Sequence, residues 1–186
     1  NNSAFAYCKN LNSVNIPTNL ITIGRSVFSG CKNITSVTLP NSLISIDNNA
    51  FSATGLESVV IPDSVVSLGE SVFSGCSNLK RVQLSNSLTE IKALLFHSCS
   101  KLNAIELPNG ITTIGDGAFY ETGLTKIVFS SFLNGIGSYS FKNCSQLTEV
   151  TFNSVLESLA MDSFENCANV KTIYVNTNNF HVNTIN

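Results

Sequence analysis

The stretch "SVFSGC" occupies residues 26–31 and returns unchanged at residues 71–76. Catalysis needs one nucleophilic Cys, and a metal site needs ligands that converge on one point. A motif that returns at a regular spacing indicates a repeat architecture instead. Related motifs, in which a Phe precedes a Cys by three residues, occupy residues 3–8, 94–99, 139–144 and 162–167.

The Phe of this motif recurs every 22 or 23 residues along the chain. In the longer units, apolar residues follow the Phe by 6, 9 and 11 residues, as Ile34, Val37 and Leu39 do in the second unit. Two units are one residue shorter, because Thr-Gly-Leu replaces Cys-x-x-Leu at 54–56 and 122–124. The repeated Phe residues are Phe5, Phe28, Phe51, Phe73, Phe96, Phe119, Phe141 and Phe164.

The composition limits the classes of partner. Of the 186 residues, 43% are hydrophobic and only 12% are charged, where an average protein has about 25% charged residues. A net charge of −2 gives no electrostatic attraction for nucleic acid or an anionic membrane. No apolar run approaches the ~20 residues of a membrane span.

The repeat predicts one domain, residues 1–186, formed by a single array of about eight turns. The chain begins inside a repeat and stops soon after Val175. We therefore expect the array to be part of a longer protein.

The pattern within a unit predicts the shape of each turn. In "ITSVTLP" at 34–40, Val37 and Leu39 alternate with polar residues, which is typical of a strand with one buried face. One such strand per turn would build a parallel sheet along one face of the array. A turn of 22–23 residues has no room for a full crossover helix. We expect the return path to contain a second extended piece at 41–46 and a turn or short helix at 48–53.

The unit "CxxLxxVxLPxxLxxIGxxAF", seen at 31–51 and 99–119, resembles the BspA-like leucine-rich repeat of bacterial surface proteins and parasitic protists. The resemblance covers nearly the whole chain, although Ser130, Asn153 and Asn176 replace the Pro in the last units. It implies a leucine-rich repeat solenoid that is secreted or exposed at the cell surface. Several members of the family are implicated in adhesion to host cells and matrix proteins.

The six cysteines occupy one repeat position and are expected to line the interior beside the Phe residues. Buried free thiols, which pack as small hydrophobic groups, are the favoured interpretation. Thr54 and Thr122 replace Cys without disturbing the pattern, which suits a packing role. Disulfides between adjacent turns are the alternative, and zinc is disfavoured because no close pair of Cys or His ligands occurs. The adjacent-turn pairs would be Cys8 with Cys31, Cys76 with Cys99, and Cys144 with Cys167.

The sequence offers no convergent catalytic site. The histidines, His97 and His181, suggest no arrangement with a nucleophile, and the carboxylates are scattered over different repeat positions. We therefore predict a protein that is not an enzyme and needs no cofactor or metal.

The outward positions of the predicted sheet are the main candidates for binding a protein ligand. They vary from turn to turn, and the charged residues concentrate in the middle of the array. An idle solvent-facing surface would also vary freely, so both interpretations stay open. The candidates are Arg81, Gln83, Glu106, Lys126, Val128 and Glu149.

Two other sequence features bear on the protein surface: a repeated apolar position and several glycosylation sequons. Ile21, Ile44 and Val66 share an outward repeat position and predict either an exposed apolar patch or packing beneath an N-terminal cap. Glycosylation sequons at Asn33 and Asn143, and a third at Asn1, would matter only in a secreted, glycosylated protein.

Three functional hypotheses follow. The first is a non-enzymatic, secreted or cell-surface module that binds a protein ligand on host cells or matrix. The second is a structural spacer that holds another domain away from a cell surface. The third is an intracellular scaffold of a protist, in which reduced cysteines would be natural.

Overall fold

The computed structural model describes residues 2–176 and 184–185, which form a parallel β-solenoid. It has about seven turns of about 23 residues each, and its described residues contain no helix. The predicted leucine-rich repeat solenoid is therefore confirmed. The return path is built from short strands and turns, so the alternative of a short helix at 48–53 was wrong.

Each turn contributes up to two short strands, which pair with the equivalent strands of neighbouring turns. Every pairing is parallel, as where Thr22 lies opposite Ser45. The strands that follow the Cys or Thr position are β3 (Ser58–Val60), β5 (Arg81–Gln83), β8 (Lys126–Val128), β10 (Glu149–Phe152) and β12 (Thr172–Val175). We call the surface formed by their outward side chains, together with those of the equivalent segments in the other turns, the strand face. The return strands are β1 (Thr22–Ile23), β2 (Ser45–Ile46), β4 (Ser67–Leu68), β6 (Glu90–Ile91), β7 (Thr113–Ile114), β9 (Gly135–Ile136), β11 (Ser158–Ala160) and β13 (Thr184–Ile185).

The strand predicted at 34–40 is absent, and so is its equivalent at 103–107. The strand face therefore consists of two separate sheets, β3–β5 and β8–β10–β12. The return strands are interrupted elsewhere, between β4 and β6. Between those two turns, the strand-face strands β3 and β5 are paired. The next two interfaces show the reverse: the return strands β6, β7 and β9 are paired, and segment 103–107 of the strand face is not. From the first to the sixth unit, neighbouring turns thus have paired strands on one side of the solenoid, either the strand face or the return side, and unpaired segments on the other.

Within the described residues, one edge alone is hydrogen-bonded at every interface between turns. We call it the Phe turn: the five residues from two before to two after each repeated Phe. Main-chain N–H groups of Ser26, Phe28 and Gly30 donate to carbonyls of the next turn over 2.7–2.9 Å. The same pattern continues as far as Asn143, which donates to the carbonyl of Glu165 over 2.9 Å.

The Phe turn requires a backbone that most residues avoid. Its first and last residues have positive φ in almost every unit, for example Ser26 (54°) and Gly30 (74°). Non-glycine residues in this conformation cost roughly 1–2 kcal/mol each. The inter-turn hydrogen bonds offset that cost, because they pair groups that burial would otherwise leave without a partner.

The repeated Phe side chains stack along the interior, as predicted. Ring centroids of successive residues are 4.9–6.0 Å apart, with nearly parallel planes. From the third to the seventh unit these rings have no exposed surface. Offset stacking of this kind adds to the hydrophobic gain of burial. The Phe column is therefore the centre of the core.

The cysteines form a second column beside the Phe rings, buried except at Cys8, which is exposed, and Cys167, which is half-buried, and all six are free thiols in the structure. Each buried thiol donates a hydrogen bond to the carbonyl of the Phe one turn before, as Cys76 Sγ does to Phe51 over 3.1 Å. The hydroxyl of Thr54 donates to the same carbonyl over 2.8 Å and lies 3.2 Å from Cys76 Sγ. Thr can occupy the Cys position because its hydroxyl finds an acceptor within its own turn, the carbonyl of Phe51, instead of the Phe carbonyl one turn before.

Phe96→Ala should lower the free energy of unfolding by about 3–5 kcal/mol, because it removes a fully buried ring and leaves a cavity in the column. Chemical denaturation monitored by circular dichroism would measure the change. Phe132→Ala is the matched control, since Phe132 is 62% exposed and should contribute little. Equal midpoints for the two variants would contradict the role of the column.

Thiol labelling should separate the cysteines by position. Burial raises the pKa of Cys76 and, more strongly, of Cys99, so at pH 8 both should resist a maleimide while exposed Cys8 reacts rapidly. After unfolding without reductant, all six thiols should be labelled. A loss of labelled sites in pairs would instead show that disulfides join adjacent turns.

Candidate protein-binding face

The structure places all six candidate residues at exposed positions of the strand face. The polypeptide alternates there, so Val82, Ile127 and Val150 point inward between them. Five candidates lie on strands: Arg81 and Gln83 on β5, Lys126 and Val128 on β8, and Glu149 on β10. Glu106 lies in the segment 103–107, which is not a strand.

The charged candidates are not paired within the solenoid. Lys126 and Glu149 are neighbours in the β8–β10 register, yet among the described residues neither is within 4.0 Å of an opposite charge. The same holds for Arg81 and Glu106. By contrast, Lys80 binds Glu57 at 2.9 Å and lowers the pKa of that carboxyl. The four charges are thus available to a partner.

The middle of the strand face is open on both sides of segment 103–107. No main-chain hydrogen bond of the described residues joins it to β5, and towards β8 the one bond is from Thr125 N–H to Asn103 O, at 3.2 Å. Inward residues at this opening are only half-buried, namely Val82, Ile105 and Leu107.

Two grooves flank this segment. The first, about 640 Å³, lies between 80–86 and 103–109 and includes Arg81, Gln83 and Glu106 in its walls. The second, about 530 Å³, lies between 104–109 and 126–131 and includes Lys126 and Val128. Five of the six sequence-predicted candidates therefore surround one opening, and Glu149 lies beyond it. Sequence reasoning missed the opening itself, because segment 103–107 follows the same apolar pattern as the paired strands.

The apolar residues Ile21, Ile44 and Val66 form an exposed row beside the return strands. They are 55%, 42% and 56% exposed. Main-chain bonds connect them directly, since Ile44 N–H donates to Ile21 O over 2.8 Å and Val66 N–H to Ile44 O over 3.0 Å. The three side chains lie apart from the grooves of the strand face.

A polar network that the sequence did not predict covers the Phe turns of the C-terminal half. Tyr120 stacks on His97 with centroids 4.7 Å apart. Ser98 Oγ lies 3.0 Å from His97 Nδ1 and donates to Glu121 over 3.1 Å. Because the carboxylate binds the Ser and not the His, this is not the geometry of a catalytic triad. His181 lies outside the described residues. The sequence contains one signal of this network. At the two positions after the repeated Phe, the second to fourth units have only Ser, Gly or Ala, whereas the fifth and sixth units have His-Ser and Tyr-Glu.

The sequons differ in accessibility. Asn33 is exposed, whereas Asn143 is half-buried and donates from its side-chain amide to Tyr120 OH over 3.0 Å. Asn1 lies outside the described residues. Glycosylation of Asn143 would break this hydrogen bond, so Asn33 is the more accessible acceptor.

Comparison with protein families identifies the repeat. The model for the BspA type leucine-rich repeat region matches six copies over residues 1–100 and 82–185. The chain belongs to the BspA-type leucine-rich repeat family. The comparison with curated proteins returns no match.

Solved structures of BspA-type and related repeats share the fold. A leucine-rich repeat protein from Bacteroides ovatus is 26% identical, with a TM-score of 0.67, and the match covers 94% of this chain and 57% of that protein. The T. pallidum leucine-rich repeat protein is 30% identical, with a TM-score of 0.67 and coverage of 77% and 67%. The pneumococcal vaccine antigen PcpA is 23% identical, with a TM-score of 0.57 and coverage of 85% and 49%, and supports the fold alone. The chain thus spans little more than half of the Bacteroides protein.

The part of the chain that the structure describes contains no group of three or more His, Cys, Asp or Glu residues arranged to hold a metal ion. Nor does it contain a helix with the length and apolar character to cross a membrane.

Hydrogen exchange should reveal the opening. The amide protons of Ile105 and Leu107 should exchange faster than those of Val59 and Ile127, because exposed, unpaired amides need no opening event before exchange. Exchange mass spectrometry on overlapping peptides would measure this difference. Equal protection of all four positions would show that the strand face is continuous.

Proposed function

We propose that this BspA-type array is a non-enzymatic protein-binding module of the cell surface or of a secreted protein, and that it mediates adhesion to host cells or matrix proteins. The family favours a protein-interaction role. The proposed ligand is a protein that lies across several turns of the strand face. The single observation that carries this proposal is the group of unpaired charges around the opening at 103–107.

The size of an interface supports a site that spans turns. A specific protein–protein contact buries about 800 Å² on each partner, and one turn exposes only two outward side chains on the strand face. From β5 to β10, four consecutive turns supply the candidate residues. Their charges of both signs would fix the register of a complementary partner and increase its association rate.

The surface location rests on the family. Among the proteins with this fold, one from Faecalibacterium prausnitzii is described as a leucine rich cell surface protein. At 21% identity that likeness supports the architecture alone. The free thiols are compatible with an intracellular scaffold as well, so localisation of the full-length protein is the direct measurement.

The spacer hypothesis is the second candidate. The continuous bonding of the Phe turn favours it, because an array joined at every interface can hold a domain at a fixed distance. A spacer needs no specific surface, so replacing exposed residues should leave its function intact.

Adhesion assays distinguish the two candidates. Arg81→Ala with Lys126→Ala should slow association with cells or immobilised matrix proteins and reduce its salt dependence, because exposed charges act chiefly on encounter. Replacement of all six candidates by Ala should abolish specific adhesion while circular dichroism stays unchanged. The matched control replaces exposed residues of the return strands, Thr22, Ser67, Glu90 and Thr113, by Ala.

Unchanged adhesion in the six-residue variant would exclude the strand face, and the row of Ile21, Ile44 and Val66 would then be substituted by Ser. An intact array that shows no adhesion to any cell or matrix protein would favour the spacer.

A further inference from the structure

The opening of the strand face has two walls of unpaired main chain. β5 is hydrogen-bonded on one side to β3 and on its other side to no described strand. Across the groove, no main-chain N–H of residues 103–107 donates a hydrogen bond within the described chain. Exposed strand edges of this kind are templates for pairing with another extended chain.

The two turns that flank this groove are held together by their other contacts. On the return side, β6 and β7 are paired, and Thr112 N–H donates to Thr89 O over 2.8 Å. At the Phe turn, Phe96 N–H donates to Ala118 O over 2.8 Å. Both contacts hold the two turns in register, while their strand-face segments stay unpaired.

The groove has a floor as well as walls. Val82, Ile105 and Leu107 are half-buried at its base, in contrast to Val59 and Ile127, which are 3% and 1% exposed within the paired sheets. Arg81 and Glu106 flank the entrance with opposite charges that have no ion-pair partner among the described residues. An occupant would therefore need main-chain hydrogen bonds, small apolar groups facing inward and polar groups facing outward.

We infer that the groove between β5 and residues 103–109 binds an extended peptide segment of the partner by strand addition. This inference rests on the proposed function and specifies how the ligand is recognised at that site. A strand rises about 3.3 Å per residue, so the walls, residues 80–86 and 103–109, match a segment of about six residues. Main-chain pairing supplies affinity, while alternate side chains facing Val82 and Ile105 supply selectivity.

The test uses a phage-displayed library of random linear 12-residue peptides, selected on the wild-type chain. Selected sequences are then synthesised, and their dissociation constants are measured by fluorescence polarisation. Methylation of single main-chain nitrogens should weaken binding roughly fivefold at alternate positions, because each affected position loses one hydrogen bond. The positions between them should be insensitive.

A variant that closes the groove provides the second arm. Asn103→Thr, Ala104→Lys and Glu106→Val copy residues 125–128 onto 103–106, where the third residue is Ile in both segments. This graft should increase amide protection at 104–107 and reduce peptide binding at least tenfold. The matched control makes Ser36→Lys, Val37→Ile and Thr38→Val in the second unit, away from the groove, and should bind peptide as the wild type does.

Three results would overturn the inference: no peptide is selected, methylation has no alternating effect, or the closed variant binds normally despite increased protection. If adhesion still depends on the six candidate residues in any of these cases, the proposed function stands and only strand addition fails. If peptides bind as expected but the array shows no adhesion, the groove is a peptide site and the adhesion proposal fails.

Discussion

The main-chain hydrogen bonds of the Phe turn are the contact on which the rest of the structure depends. They form at every interface between turns from the first to the last repeated Phe, whereas both strand systems are interrupted. The same turns bring each Phe ring and each Cys to a constant height, so the two interior columns follow from the register that these bonds impose. Short strands of two to four residues could not fix that register alone.

Because of this dependence, we expect the turns to be stable only as part of the array. A single turn cannot cover the two faces of its own Phe ring, and its neighbours supply both covers. Phe5 in the first turn is 49% exposed, whereas Phe51 is fully buried. Stability should then increase with each added interface, and a cavity in the middle should separate two shorter arrays that each lack a cover.

Sequence alone predicted the fold class and most of the core, because period and residue type recur in every unit. It also predicted which side chains of the strand face are exposed, as at Arg81 and Lys126, since alternation along a strand determines orientation. It did not predict which strands pair. Ile105 and Ile127 occupy equivalent positions in similar segments, yet one is half-buried and the other fully buried. Alternation of apolar and polar residues, which both segments share, does not distinguish a paired segment from an unpaired one.

The uneven stacking of turns has a consequence for binding. A continuous sheet would offer a partner only side chains, because all its main-chain groups would be paired. Where the return side closes and the strand face opens, main-chain groups beside Arg81 and Glu106 become accessible as well. In a chain with only 12% charged residues, these groups add polar binding capacity without additional charge. The β6–β7 pairing thus holds these two turns together while the surface near β5 stays available for a ligand.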